Sequence, residues 1–299
     1  MAARAHEPQT WAGTAPWVAY ANLVRLPHTL FALPFAFVGV AFASYRYPVT
    51  LAQVFWITVA FTAAWFAAMA FNRVVDREFD ARNPRTRMRE IPAGRISVRA
   101  AAVSVAVASG VFLVAAGMLN PLCLLLAPPA LVWLLLYSYA KRFTAWTHLA
   151  LGVADGLAPA GAYLAVAGNW DGLPTMVALL AGVALWVAGF DVLYALQDVE
   201  FDRRHGLHSI PARWGERAGI RAARAFQGAA VLAFAAAAWS EPQAGALTWA
   251  GVVATAACIA WQHRLVRPGD LARLDAAFFT TNAVLSGVFC AFVLLDRLA

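Results

Sequence analysis

Long apolar runs alternate with short polar stretches from about residue 26 to the end of the chain. The runs lie near 26–45, 51–71, 100–119, 121–139, 147–167, 174–196, 222–239, 244–262 and 274–295. Each approaches the ~20 residues that a helix needs to span ~30 Å of hydrocarbon. A backbone in hydrocarbon must satisfy its own polar groups, so the pattern predicts an all-α integral membrane protein of nine transmembrane helices. Residues 1–16 are polar, small and proline-containing, and are expected to form a flexible tail and not a cleaved signal peptide. Residues 17–299 read as a single polytopic domain with no low-complexity linker, which confines function to the bundle and its loops. Pro34 in the first run and Pro128 and Pro129 in the fourth are expected to kink their helices.

Composition agrees with this picture. Hydrophobic residues make up 62% of the chain, charged residues 13%, and the mean hydropathy is +0.64, which excludes an ordinary soluble domain. The net charge of +7 would suit a nucleic-acid binder, but its distribution argues otherwise. With the amino terminus in the cytoplasm, 21 of the 23 Lys and Arg residues fall on the cytoplasmic side, and only Arg46 and Arg297 fall outside. This asymmetry is the positive-inside signature and orients the chain with both acidic motifs in the cytoplasm and its carboxyl terminus outside; the expected location is the cell's inner (plasma) membrane. No basic strand interleaved with aromatics suggests nucleic acid. Cys123, Cys258 and Cys290 have no ligand-like spacing and read as apolar fillers.

Candidate chemistry gathers where two of the runs end. Residues 72–94 read NRVVDREFDARNPRTRMREIPAG, and Asn72, Asp76 and Asp80 recur every four residues, on one face of a continuing helix. Two carboxylates and an amide are hard oxygen ligands suited to Mg²⁺ that also bridges to phosphate. Arg82, Arg85, Arg87, Arg89 and Arg95 follow, and guanidinium groups grip phosphates bidentately. Residues 190–211 repeat the pattern, with Asp191, Tyr194, Asp198 and Asp202 spaced by three, four and four, then Arg203 and Arg204. The two copies lie four spans apart, which puts both on the cytoplasmic side and suggests two four-helix units plus a ninth helix. A solvated, salt-bridged helix end accounts for one such face better than for a matched pair. Arg25 and His28 at the edge of the first span, and Lys141 and Arg142 at the end of the fourth, suit either an anionic ligand or membrane anchoring. Asp155, about two turns into the fifth span, is expected to face a hydrated cavity or an arginine.

These residues resemble the UbiA superfamily of intramembrane aromatic prenyltransferases. The likeness lies in Asn72-x3-Asp76-x3-Asp80 with Arg85, Arg89, Pro92 and Gly94, in Tyr194-x3-Asp198-x3-Asp202 preceded by Asp191, and in YSYAKRFT with Lys141, Arg142 and Thr144. It implies a nine-helix UbiA-type bundle around a central cavity, open to lipid for a polyprenyl tail and capped by cytoplasmic loops. It also implies that Asp76, Asp80, Asp198 and Asp202, with Asn72, hold Mg²⁺ and through it a polyprenyl diphosphate. Arg85, Arg89, Lys141, Arg142 and Arg203 become candidate cations for phosphate or for an acceptor carboxylate, and Asp191 and Tyr194 the catalytic candidates deeper on the second face. The implied reaction transfers a polyprenyl group to a ring carbon of a hydroxylated aromatic acid in quinone synthesis.

The chain departs from the hydroxybenzoate enzymes of ubiquinone synthesis in HTLFALPFA, in REIPAG with Glu90 where they tend to have proline, and in GLHSIPARWG. These segments resemble the branch of menaquinone synthesis through futalosine, so the acceptor is of 4-hydroxybenzoate or 1,4-dihydroxy-6-naphthoate type. A related enzyme with a haem or lipid acceptor is an alternative. A transporter is a further one, opposed by acids that concentrate at one membrane face and not at the midplane of broken helices.

Overall fold

The computed structural model describes residues 11–13, 15–26, 29–266, 269, 274 and 280–299. His28, most of the predicted tail (1–10 and 14) and residues 275–279 of the predicted ninth span lie outside the described residues. The described chain is all helical. It runs α1 (Pro16–Leu23), α2 (Thr29–Ser44), α3 (Leu51–Arg82), α4 (Val98–Leu119), α5 (Pro121–Leu136), α6 (Thr147–Ala167), α7 (Leu173–Tyr194), α8 (Val199–Arg204), α9 (Ile210–Trp214), α10 (Glu216–Ser240), α11 (Ala246–Leu265) and α12 (Thr281–Leu298). Among the described residues, each predicted run overlaps one of these helices. Seven stretches among the described residues are long and apolar enough to cross a membrane. The other two runs fall short, α2 because it has 16 residues and α11 because its last turn carries Gln262, His263 and Arg264.

Polar caps set the helix starts. Thr50 and Gln53 form a reciprocal capping box at α3, while Ser97 and Asn120 accept from the backbone of Ala100 and Cys123 at α4 and α5. Helix α3 has 32 residues, about 48 Å at 1.5 Å per residue, so it overruns ~30 Å of hydrocarbon by several turns. Asp76 and Asp80 lie in that overrun. The α7–α8 stretch, Leu173–Arg204, also spans 32 residues and delivers the second motif to the same end of the bundle.

Helix α7 lies between α6 and α10, α2 lies between α6 and α12, and α11 packs on α12 and α10. This side is solid. Phe35 packs on Trp186 at 5.0 Å and on Phe234 at 5.6 Å, and Phe234 on Phe289 at 5.0 Å, in the tilted and offset arrangements that aromatic quadrupoles favour. Close approach of α6 to α7 depends on Gly152 and Gly156, where a Cβ would strike the carbonyl oxygens of Ala184 and Leu180. The other wall, α3 with α4 and α5, stands off from α6 and α7 and leaves a cavity between them.

Candidate active site

The cavity has a volume of about 600 Å³. Its walls are apolar along most of their length, through Ile57, Phe61, Phe112, Leu126, Leu151 and Met176, and it reaches Leu119, Trp170 and Leu173 at the end away from the motifs. At the motif end its lining becomes polar: Asn72, Asp76, Asp80, Arg85, Arg89, Lys141, Asp191, Tyr194, Asp198 and Asp202 all face it. The structure thus brings ten of the twelve predicted site residues to one mouth. The other two lie apart from the lining. Arg142 donates to the Val75 carbonyl at 2.8 Å, stacks over Phe79 and Tyr139, and approaches Asp76 to 3.6 Å. Arg203 donates to the Ala212 carbonyl at 2.7 Å and so braces α9.

The first motif keeps its helical spacing, because α3 continues unbroken to Arg82. Asn72 donates to Asp76 at 3.2 Å, and Lys141 Nζ lies 3.9 Å from the same carboxylate. Arg89 donates to Asp80 at 2.7 Å. The second motif differs from the continuous helical face predicted for it. Helix α7 stops at Tyr194, residues Ala195–Asp198 form a 3-10 turn, and α8 starts at Val199. Such a turn advances ~120° per residue in place of ~100°, so Asp198 and Asp202 are rotated relative to Asp191. The physical reason is visible in Arg85, which donates from Nε and Nη2 to the two oxygens of Asp198 at 3.0 and 2.6 Å and from Nη1 to the Tyr194 hydroxyl at 2.9 Å. A bidentate charged pair of this geometry is among the stronger side-chain contacts, and it holds the loop after α3 against the end of α7.

Several residues outside the two spaced motifs also shape the site. Asn83 accepts from the Arg85 amide at 2.9 Å and donates to Asp198 at 3.2 Å, so it aims the loop and orients the acid together. Its position three residues past Asp80 continues the Asn72, Asp76, Asp80 stripe, a signal that was available. Thr86 donates to the Asp80 carbonyl, and Ser209 donates to Asp202 at 3.2 Å. His148 lies 2.7 Å from Asp191 through Nδ1; a histidine in the first turn of an apolar span was the clue. Arg73, 6% exposed, also lines the cavity and donates to Asn72 and to the Leu23 carbonyl. Asp155 faces the cavity as expected. Glu90, in place of a proline, is buried beside Arg95 and accepts the Arg95 and Ile96 amides at its carbonyl, a role in loop structure.

Several guanidinium groups crowd together among the acids of the mouth. Burial works against the Arg85 charge, but the Tyr194 hydroxyl and the Asp198 carboxylate outweigh it and raise its pKa above the ordinary guanidinium value. Arg89 is likewise raised, burial being outweighed by Asp80 and Tyr194. Arg25 is pulled down to about 9, mainly by burial, with repulsion from Arg89, Arg73 and Arg85 adding to it. Crowded guanidinium groups of this kind gain from an added anion.

Among the described residues no three carboxylates, imidazoles or thiols converge as a ready metal cluster. The donor set nonetheless fits a hard divalent cation. Asp76 Oδ1 and Asp80 Oδ2 are buried acceptors without a hydrogen-bond partner, on adjacent turns of one helix and beside the cavity.

The UbiA prenyltransferase family matches residues 32–284. A polyprenyl transferase of Arthrobotrys oligospora is 33% identical over 212 residues, 70% of this chain but 54% of its own, so the chain spans about half the length of that relative. A 4-hydroxybenzoate octaprenyltransferase of Cupriavidus necator is 36% identical over 248 residues, 79% of this chain and 81% of its own. The apo structure of a UbiA homolog from Aeropyrum pernix K1 superposes with a TM-score of 0.82 at 34% identity, covering 90% of this chain and 98% of the other. A UbiA homolog from Archaeoglobus fulgidus bound to DMAPP and Mg²⁺ has the same fold, with a TM-score of 0.74 at 19% identity over 94% of this chain and 99% of its own. The family match, the relatives and the shared fold agree: this chain belongs to the UbiA prenyltransferase family and is an enzyme.

Proposed function

We propose that this enzyme transfers a polyprenyl group from a polyprenyl diphosphate to a ring carbon of a hydroxylated aromatic acid, with Mg²⁺, in ubiquinone or menaquinone biosynthesis. The observation that carries this reading is the cavity itself. Its mouth gathers acids from both motifs with Arg85 and Arg89, and its apolar bore continues to the far end of the bundle. A polyprenyl diphosphate has the same two parts, a charged head and a long apolar tail.

Asp76, Asp80, Asp198 and Asp202, with Asn72, would hold the metal, in keeping with the Mg²⁺ and DMAPP bound to the Archaeoglobus homolog. Mg²⁺, when bound, supplies positive charge that favours departure of the diphosphate. Arg85, Arg89 and Lys141 lie where they stabilise the same leaving group as its charge develops. The allylic C–O bond breaks with its electrons leaving on the diphosphate. The ring carbon ortho to the acceptor hydroxyl then attacks the allylic carbon, and loss of the ring proton restores aromaticity. Asp191, on the cavity wall below the acids, orients the phenol or takes that proton. The apolar bore excludes water from the allylic cation.

The acceptor is of the 4-hydroxybenzoate or the 1,4-dihydroxy-6-naphthoate type. The octaprenyltransferase relatives favour the first, and HTLFALPFA, REIPAG and GLHSIPA favour the second. Residues 17–299 act as one domain, with α2 and α11 completing nine crossings. The motif end faces the cytoplasm from the inner membrane, a reading supported by the arginine asymmetry. The test is product formation in membranes containing the enzyme, with Mg²⁺ and a polyprenyl diphosphate, offering both acids together and reading products by mass spectrometry. Prenylation of either acid upholds the reading and selects the acceptor. Prenylation of neither, with transfer to a haem or lipid acceptor, overturns it.

A further inference from the structure

His148 is 1% exposed, in the first turn of α6, and both of its ring nitrogens are engaged. The Ile210 backbone N–H lies 3.3 Å from Nε2. A backbone amide only donates, so Nε2 carries a lone pair and the ring proton resides on Nδ1. Nδ1 therefore donates to Asp191 Oδ2 at 2.7 Å. One oxygen of Asp191 is held by a neutral imidazole while the carboxylate itself stays on the cavity wall, its side chain 26% exposed against 2% for the histidine.

The other side of the ring leads to the second motif. Ile210 follows Ser209, whose hydroxyl donates to Asp202 Oδ2 at 3.2 Å. A chain of contacts thus runs from Asp202 through Ser209, the Ile210 amide and His148 to Asp191. It joins the acid that would meet the metal diphosphate to the one that would meet the acceptor. We propose that His148 is a positioning residue that fixes the carboxylate of Asp191 for the acceptor and couples its placement to the 205–210 segment beside Asp202. This rests on the prenyl-transfer reading above. A histidine buried merely to fill space would need neither bond.

The test uses the full-length enzyme in lipid nanodiscs with His148→Leu, His148→Asn, Asp191→Ala and the His148→Leu/Asp191→Ala double variant. Loss of an outer-shell partner of this kind costs roughly 10- to 100-fold in activity. The expected result is a fall of that size in kcat for His148→Leu with the KM for polyprenyl diphosphate little changed. His148→Asn, which keeps a donor near the Nδ1 position, recovers much of it, and the double variant is no slower than Asp191→Ala alone. A wild-type kcat in His148→Leu, or independent additive losses in the double variant, overturns the proposal. Nitrogen NMR of histidine-labelled enzyme decides the geometry without turnover, even if His148→Leu fails to fold. A protonated Nδ1 and bare Nε2 support the proposal, and the opposite tautomer or an imidazolium overturns it. If the wild-type enzyme forms no product with any acceptor, the functional reading fails and the catalytic half of the proposal with it, whatever the tautomer.

Discussion

Arg85 shows how one side chain organises the site. Its guanidinium reaches Asp198 and Tyr194 from the loop after α3, so two motifs more than a hundred residues apart meet through it and its neighbour Asn83. Replacing Asp198 with Asn removes a charge that both Arg85 and Asn83 address, and replacing Asp76 with Asn removes a buried negative charge whose Oδ1 accepts no hydrogen bond. We expect Asp76→Asn and Asp198→Asn each to lower kcat at least ~10²-fold, as loss of a preorganised electrostatic group does. Both should keep wild-type monodispersity in detergent. A steady-state assay at saturating Mg²⁺ checks the first expectation and size-exclusion chromatography the second. Arg85→Ala is expected to lower activity similarly and also to raise the KM for the diphosphate, since it loosens the loop and removes a phosphate partner together. At this scale the acids were legible because carboxylates at the end of an apolar run are costly and spaced by the helical period. Asn83, Ser209 and His148 were less so, because their roles depend on which backbone groups and acids they meet.

Among the elements, the α6–α7 pair decides where the second motif faces. Gly152 and Gly156 let the two backbones touch, and that contact brings His148 and Asp155 of α6 alongside Asp191 of α7. Gly152→Val places side-chain atoms against the Ala184 carbonyl, where no flexible group exists to yield. Overpacking of this kind costs ~1–3 kcal/mol or more, so the variant should show a lowered melting temperature and reduced accumulation in membranes. Gly161→Ala, where a Cβ meets nothing within 4 Å, is the matched control and should behave as wild type in the same thermal scan. The helices themselves were readable from hydrophobic runs. The 3-10 turn at Ala195–Asp198 was not, since it answers to contacts from the 83–89 loop and not to local spacing.

Over the whole molecule, a solid aromatic half supports a hollow half. The bore between α3, α4, α5, α6 and α7 runs from the motif end to Leu119 and Leu173, which suits it to an apolar chain. Ala116, 4% exposed and far from the acids, lines the bore. Ala116→Trp should obstruct long tails more than short ones, so relative kcat/KM should shift toward short donors such as a ten-carbon diphosphate. A uniform loss across donors would oppose the tail-channel reading. Orientation has its own test. Arg204, whose side chain is 76% exposed at the motif end, accepts a cysteine without disturbing the bundle. With the proposed orientation, Arg204→Cys should react with a membrane-impermeant maleimide in inverted vesicles and stay unreacted in intact cells; the reverse pattern would overturn that orientation.

Hydrophobic period and charge asymmetry act locally and additively, so the sequence by itself determined the helical membrane class, the approximate spans and the two acidic stripes. The motifs at 72–94 and 190–211 carried the resemblance to the family that matches residues 32–284. What tertiary structure decided is everything that requires two distant segments to meet. It drew Arg85 onto Asp198, turned Arg142 and Arg203 away from the cavity lining, left Asp76 and Asp80 each with one oxygen that accepts no hydrogen bond, and set His148 between Ile210 and Asp191. Such contacts depend on how closely helices pack, and packing is a property of paired surfaces that no single run of residues encodes.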